Sequence, residues 1–313
     1  MLKYVLNRLL LSIPTLLAVL TLVFIIVRVL PGDPAEAALG DYASKEAVEA
    51  LRVKMGLNKP LPAQYVEFLW NLVQGDLGNS MITGKSVAEQ IAFVLPFTLD
   101  LTISSVIVGI ILGVPLGVYT AVQRNSVGDY VGRVFSLAGL SVPAFYLGIL
   151  LMLLFGVQFD LFPVVGAGNR NIFSERFMHL VLPAMTLGLI MMAYVTRMTR
   201  SAMLNILSED YVRTARAKGL SERIVMMQHA LRSALIPIVS IVGLFAISLI
   251  GSSVMTETVF NRPGLGKLMV GAMKQRDYTM LQSIMVIYAL MIVVTNLLVD
   301  VLYGFLDPRV RYR

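Results

Sequence analysis

The sequence predicts an all-α polytopic membrane protein with six transmembrane helices. Hydrophobic residues make up 57% of the 313 residues and charged residues only 14%, about half the charged share of a typical soluble domain. The mean hydropathy is +0.77, and six segments approach the roughly 20 apolar residues that a helix needs to cross a bilayer. The predicted spans are residues 9–30, 97–121, 134–157, 179–196, 234–255 and 281–305.

The first element, residues 1–30, is predicted to be a cytoplasmic N-terminus and the first span. Lys3 and Arg8 give it a basic start, and residues 35–37 have the small-x-small form of a cleavage site, so a signal peptide is the alternative. The apolar run over residues 9–27 is longer than the roughly 7–15 residues of a secretory core. This length favours a transmembrane helix that is retained.

The second element, residues 31–96, is predicted to be a small extracytoplasmic helical cap. Ser44 suits a helix N-cap, Pro62 suits a first helical turn, and Gly75 can end the helix that Pro62 begins. Ser86 starts a capping-box pattern immediately before the apolar residues of the second span. The cap therefore has its own start and stop signals.

The remaining elements are a five-helix transmembrane core at residues 97–305 and a tail at residues 306–313. The core includes a loop at residues 197–233. Basic residues outnumber acidic ones in the short connections on the side of both termini, and the positive-inside rule then predicts that both termini are cytoplasmic. Prolines lie in or near the spans at positions 14, 115, 143, 183 and 237, and they predict kinks.

Few polar groups in the predicted spans are suited to catalysis or metal binding. The chain has no cysteine and two histidines far apart in sequence, which excludes disulfides and disfavours a metal site. Gly84-Lys85-Ser86 lacks the glycine spacing of a nucleotide-binding loop. An intramembrane hydrolase needs a nucleophile with a positioned base, and no convincing pair is present. No catalytic residue is predicted.

Asp100 and Asp300 are the carboxylates nearest the membrane, each at one end of a span. A structural role is predicted for both. Asp100 would favour the positive end of a helix dipole, and Asp300 would pair with a basic neighbour. Charged groups at mid-membrane are otherwise missing, which disfavours a proton-coupled secondary carrier.

Gly109, Gly113 and Gly117 recur every four residues in the second span and so share one helix face. Such a face lets another helix approach closely. The sequence leaves open whether that helix belongs to this chain or to a second subunit.

The loop at residues 197–233 is longer than a simple connection between helices needs. Between Tyr211 and Glu222 it is polar, basic and helix-prone, with small residues interleaved among the basic ones and a glycine at position 219. This pattern predicts a short cytoplasmic helix, ended by Gly219, that inserts into a groove of a partner protein. Contact with anionic lipid is the alternative.

At this loop the sequence resembles the permease subunits of ATP-binding cassette importers. The general motif of that family is Glu-Ala-Ala, three residues and then Gly, of which Ala215 and Gly219 match. The form found here, Arg-Thr-Ala-Arg-Ala-Lys-Gly, resembles the subfamily that handles dipeptides, oligopeptides, glutathione and nickel. Further family motifs occur at residues 31–34, 139–145, 259–266, 276–278 and 307–309.

This resemblance implies a permease that forms half of a pathway for peptides and is not itself an ATPase. Its partners would be a second homologous permease, two cytoplasmic ATPases that hold ATP and Mg, and an extracytoplasmic binding protein. The chain would hold no cofactor or metal and would lie in a bacterial or archaeal cytoplasmic membrane. The alternatives are a stand-alone channel or secondary carrier, and a nickel-importing permease of the same family.

The resemblance also assigns residues to these contacts. The ATPase-coupling residues would be Arg213, Thr214, Ala215, Arg216, Ala217, Lys218, Gly219, Leu220, Ser221 and Glu222. The residues facing the binding protein would be Asp33, Asn261, Arg262, Gly264 and Gly266.

Overall fold

The computed structural model describes residues 2–29, 34–39 and 44–306, which are largely helical and include one isolated β-bridge, so the all-α prediction is confirmed. The α-helices are α1 (Leu2–Val29), α2 (Pro34–Leu39), α3 (Lys45–Lys54), α4 (Leu61–Val73), α5 (Val87–Val122), α6 (Val127–Ser141), α7 (Ala144–Leu151), α8 (Phe173–Leu207), α9 (Asp210–Ala217), α10 (Glu222–Ile224), α11 (Leu231–Val259), α12 (Leu265–Gln275) and α13 (Tyr278–Leu306). Two π-helical segments, Met152–Gln158 and Val225–Ala230, follow α7 and α10.

Within the described residues, five helices are long and apolar enough to cross a membrane, and a sixth span exists if α6 and α7 are counted together. The third predicted span, residues 134–157, is divided in two, and the kink predicted at Pro143 is confirmed, because α6 and the helix that follows it are bent by 106°. Val142 lies in the extended region (φ −90°, ψ 124°). Since the residue before a proline is disfavoured in the helical region, Pro143 ends α6 and begins a new helix.

The helix ends predicted within residues 44–96 are confirmed. The Ala47 amide donates to Ser44 Oγ at 3.2 Å, at the start of α3. Pro62 lies in the first turn of α4, and Gly75 follows that helix with a φ of 75°. The extracytoplasmic position of this region stays a prediction, and residues 31–33 lie outside the described residues.

The second span begins earlier than its hydropathy indicates. Ser86 caps α5, accepting a hydrogen bond from the Glu89 amide at 3.4 Å, and the helix then continues through Pro96. Residue 97 was the predicted start of the span, but it lies inside α5. Local capping therefore sets the start of this helix, while apolar content sets only the part that can enter the bilayer.

Helices α5 and α8 form the centre of the molecule. Gly109, Gly113 and Gly117 of α5 face Met191, Val195 and Thr199 of α8. A Cβ at Gly113 would lie 2.8 Å from Val195 Cβ, so only glycine allows this approach. Thr196 of α8 also donates to the Gly113 carbonyl at 3.3 Å. The glycine face thus packs within the chain.

Helix α1 lies at the edge of the bundle against α13. Leu20 and Val23 of α1 pack on Val286 of α13, while much of the apolar surface of α1 remains exposed. At the other end of the same pair, Arg8 lies 3.2 Å from Asp300. The predicted pairing of Asp300 with a basic neighbour is therefore confirmed.

Candidate functional sites

The first candidate site is the short helix α9 with the turn after it, residues 210–222, which we call the α9 segment. Asp210 lies in its first turn and Arg216 in its last, as the helix dipole favours. Val212 and Ala215 are buried and pack with Val225 near the end of α8. A small apolar cluster therefore fixes the helix on the bundle.

A Schellman motif ends α9. Gly219 has a φ of 78°, its amide donates to the Arg216 carbonyl at 2.9 Å, and the Leu220 amide donates to the Ala215 carbonyl at 3.4 Å. A Cβ on Gly219 would meet nothing within 4 Å. The glycine is therefore needed for its left-handed backbone and not for lack of space.

The outer face of the α9 segment is polar and open. Arg213 is 71% exposed, and Arg216 pairs with Glu222 at 2.7 Å on the surface. Tyr211 Oη donates to Ser233 Oγ of α11 at 3.0 Å, so the segment contacts two long helices. Of the ten residues predicted to couple to an ATPase, Ala215 is buried and the other nine are exposed.

The second candidate site lies at the opposite end of the spans, where residues 257–267 pack on Thr98 and Asp100; we call it the α12 junction. Thr98 Oγ1 donates to Glu257 Oε1 at 2.6 Å, and the Lys267 amide donates to Glu257 Oε2 at 3.1 Å. The Leu265 amide donates in turn to Thr98 Oγ1 at 2.8 Å. Glu257 thus binds free amide groups at the start of α12.

The glycines of the α12 junction make room for that carboxylate. A Cβ added at Gly264 would overlap the carboxylate of Glu257, and one at Gly266 would overlap the backbone of Val254. Neither residue has a left-handed backbone that would itself demand glycine. Close packing therefore explains the glycines here.

Arg262 is fully buried beside this network. Its guanidinium carbon lies 5.5 Å from the centre of the Phe97 ring, and Nη2 lies 4.0 Å from Asp100 Oδ2. Burial lowers the pKa of Arg262 to about 10, so the side chain stays charged at neutral pH. A buried charge of this kind holds neighbouring elements together but offers no surface to a partner.

The set predicted to face a binding protein needs correction. Asn261 is exposed and can contact a partner, whereas Arg262, Gly264 and Gly266 are buried by this chain's own packing. Asp33 lies outside the described residues. Sequence reasoning missed Glu257 because its partner Thr98 is 159 residues away.

The explanation predicted for Asp100 is also wrong. Because α5 begins at Val87, Asp100 lies well inside the helix and not at its positive end. Its partner is Arg176 of α8, whose Nε donates to Asp100 Oδ2 at 2.8 Å. An ion pair between helices therefore takes the place of a dipole effect.

A bundle of long apolar helices, with an exposed polar helix at one end and a packed junction at the other, is the architecture of a polytopic membrane protein. Models of two families match the chain. The "Binding-protein-dependent transport system inner membrane component" matches residues 113–312, and its N-terminal counterpart matches residues 1–102. The chain belongs to this family.

Relatives and solved structures agree with this assignment. The chain is 44% identical over 313 residues to "Glutathione transport system permease protein GsiC" of Pectobacterium atrosepticum, and 43% identical to the protein of that name in Escherichia coli K12, covering 100% of each chain in both cases. The MetNI methionine ABC transporter in inward facing conformations has a similar fold, with a TM-score of 0.57, 20% identity, and coverage of 69% of this chain and 96% of that one.

The chain is thus a permease subunit of an ATP-binding cassette importer, as the sequence motifs indicated. It is a multi-pass membrane protein, and transport by this family depends on a binding protein. The interpretations as a stand-alone channel, a secondary carrier or a hydrolase are therefore set aside.

Proposed function

We propose that this chain forms half of the pathway through which an ATP-driven importer takes up glutathione or a related short peptide. The full-length identity of 44% and 43% to glutathione permeases supports this cargo. A binding protein would deliver the peptide at the α12 junction, where Asn261 is exposed. Nickel remains the second candidate cargo, because the subfamily that the motifs resemble includes nickel permeases.

The α9 segment would couple the permease to a separate ATPase. The observation that carries this step is that nine of the ten predicted coupling residues are exposed around the Schellman motif that ends α9. The helix itself is anchored to α8 and α11. In this arrangement two ATPase subunits hold ATP and Mg, and each grips one permease. The second permease would be a homologous chain.

Movement of the ATPases would reach the spans through the contacts of α9. Val212 packs near the end of α8, and Tyr211 bonds to Ser233 of α11, so a displacement of α9 acts on both helices together. The α12 junction would open and close at the far end. Both termini would lie in the cytoplasm, on the side of the ATPases, in a bacterial or archaeal cytoplasmic membrane.

Cargo is tested in vesicles that contain the complete importer with its binding protein. We expect ATP-dependent uptake of labelled glutathione or a labelled dipeptide, and no uptake of nickel ions. Uptake of nickel without peptide would overturn the peptide proposal and favour the nickel permease. Vesicles containing the permease without its ATPases serve as the control and should accumulate neither cargo.

Coupling is tested with the pair Gly219→Trp and Gly75→Trp. Gly75 ends α4 with the same cap as Gly219, has a φ of 75° against 78°, and also has open space around a Cβ. Both variants carry equal backbone strain, but only Gly219→Trp places a bulky group on the α9 segment. We expect Gly219→Trp alone to lose the ATPase in a pull-down while still inserting in the membrane. Equal capture by the two variants would contradict the coupling role.

Orientation is tested with single cysteines, because the chain has none of its own. Lys218→Cys and Lys85→Cys place one thiol on the α9 segment and one beside the start of α5, both at exposed positions. A membrane-impermeant maleimide added to intact cells should label Lys85→Cys only. Labelling of Lys218→Cys only would reverse the proposed orientation.

A further inference from the structure

A cavity of about 350 Å³ lies between α5, α6 and α8, at the end of the spans where α9 is found. Arg133, Arg197 and Arg200 line it, together with hydroxyl groups that include Ser136 and Ser201. None of these residues belongs to the α9 segment or to the α12 junction. The cavity is therefore separate from both sites described above.

The cavity holds an excess of positive charge. Arg200 donates to both oxygens of the fully buried Asp129, at 2.7 and 2.8 Å, and Arg133 approaches the same carboxylate at 3.5 Å. Arg197 forms no ion pair with any residue in the described ranges. Asp129 thus pairs with Arg200 and Arg133, and the lining of the cavity carries three guanidinium groups against this one carboxylate.

The position of the cavity across the membrane matches the level of the lipid headgroups. Helix α8 has 35 residues, so it is about 52 Å long and exceeds the hydrocarbon core of roughly 30 Å. Arg197 follows directly after the predicted apolar span, at the level where long basic side chains meet the headgroups. Leu137, which also lines the cavity, is 56% exposed and offers an apolar surface beside it.

We propose that this cavity is an anion site for a phosphate group. Arg197 supplies the principal charge, and Arg133 and Ser201 can supply further hydrogen-bond donors. Guanidinium groups bind phosphate with paired, charge-assisted hydrogen bonds. Two sources carry such a group, namely the headgroup of an anionic phospholipid in the adjacent leaflet and a soluble phosphate.

The test compares Arg197→Gln with the matched control Arg124→Gln in the assembled importer. Arg124 is exposed near the start of α6 and lies outside the cavity lining. The complexes are placed in vesicles of equal parts phosphatidylcholine and phosphatidylglycerol, and the lipid retained after purification is measured by native mass spectrometry. We expect Arg197→Gln to bind phosphatidylglycerol about tenfold more weakly, since a charge-assisted hydrogen bond contributes roughly that factor. Arg124→Gln should match the unchanged protein.

A second measurement separates the two sources and does not depend on a variant. Arg197 of the unchanged protein is modified with phenylglyoxal in vesicles of phosphatidylcholine alone, in the same vesicles with inorganic phosphate added, and in vesicles that also contain phosphatidylglycerol. Protection by phosphatidylglycerol but not by inorganic phosphate assigns the site to a lipid headgroup, and protection by inorganic phosphate assigns it to a soluble anion. If neither protects Arg197, the proposal is wrong.

Discussion

The α9 segment and the α12 junction both carry sequence motifs of the family, yet their charged residues lie in opposite environments. At the α12 junction, Arg262 and Glu257 are fully buried. On the α9 segment, Arg213 is 71% exposed and Asp210 is 97% exposed. The charged groups of the α12 junction interact within this chain, whereas those of the α9 segment are available to another protein.

Glycine also serves two purposes in these regions. Gly264 provides space for the Glu257 carboxylate, and Gly219 provides a left-handed turn in open surroundings. Loss of the first should therefore damage the fold, and loss of the second should damage mainly the end of one helix. Four substitutions test this difference between the two regions.

The largest effect is expected for Gly264→Ala. Its new Cβ overlaps a carboxylate that Thr98 and the Lys267 amide hold in place, so the junction must deform at a cost of about 3 kcal/mol. The matched control is Gly271→Ala, also in this region, where a Cβ meets nothing within 4 Å. Thermal unfolding of the purified chain in detergent should show a clear loss for Gly264→Ala only. Equal stability of both variants would contradict close packing at the junction.

A smaller and more local effect is expected for Val212→Ala. This change removes apolar contacts with Val225 and the end of α8, which lowers the stability of the α9 anchor by about 2 kcal/mol. Hydrogen exchange of the α9 amides should become faster while the spans stay protected. Thr214→Ala alters the exposed side of the same helix and should leave exchange nearly unchanged. Unchanged exchange in Val212→Ala would show that the anchor lies elsewhere.

Gly219→Ala is expected to cost about 1 kcal/mol, because alanine is strained at a φ of 78°. Asparagine tolerates this region better, so Gly219→Asn should cost less. Gly75→Ala should loosen the end of α4 by a similar amount, since its cap is the same. The measurement is hydrogen exchange at the last turn of each helix. A difference between alanine at 219 and at 75 would indicate that something other than strain controls one of the turns.

The smallest effect on stability is expected for Arg213→Gln. Its pair with Asp210 is long, at 3.5 Å, and exposed, so its loss should change unfolding by less than about 0.5 kcal/mol. Binding of the ATPase should nevertheless weaken, and the difference from the unchanged protein should shrink at high salt. Full ATPase binding by Arg213→Gln at low salt would remove this residue from the coupling surface.

Local features of this chain could be predicted from its sequence, since their causes lie within a few residues. The caps at Ser44 and Ser86 and the turns at Gly75 and Gly219 are examples. Interactions between distant residues could not be predicted in the same way. Asp100 was assigned to a helix dipole because nothing local identifies Arg176 as its partner, 76 residues away.

For the third span, the sequence predicts the position of the break in the helix but not its angle. Pro143 predicts a kink, and the chain does leave the helical region there. The angle of 106° is a property of how the two pieces pack on the bundle, which no short pattern contains. Pro115 and Pro183, by contrast, lie inside continuous helices.

The glycine face between α5 and α8 also has a mechanical consequence. The two helices have 36 and 35 residues, and each is more than 50 Å long by the usual rise, about 54 and 52 Å respectively. The α5 backbone at these glycines rests directly on side chains of α8, with a single layer of side chains between the two helices, so we expect the pair to move as one stiff unit. A tilt of about 10° would carry one end of a ~52 Å unit about 9 Å relative to the other. Under the coupling proposed above, a modest rotation at the ATPase end would move the far end of the pair by a distance comparable with the width of a peptide.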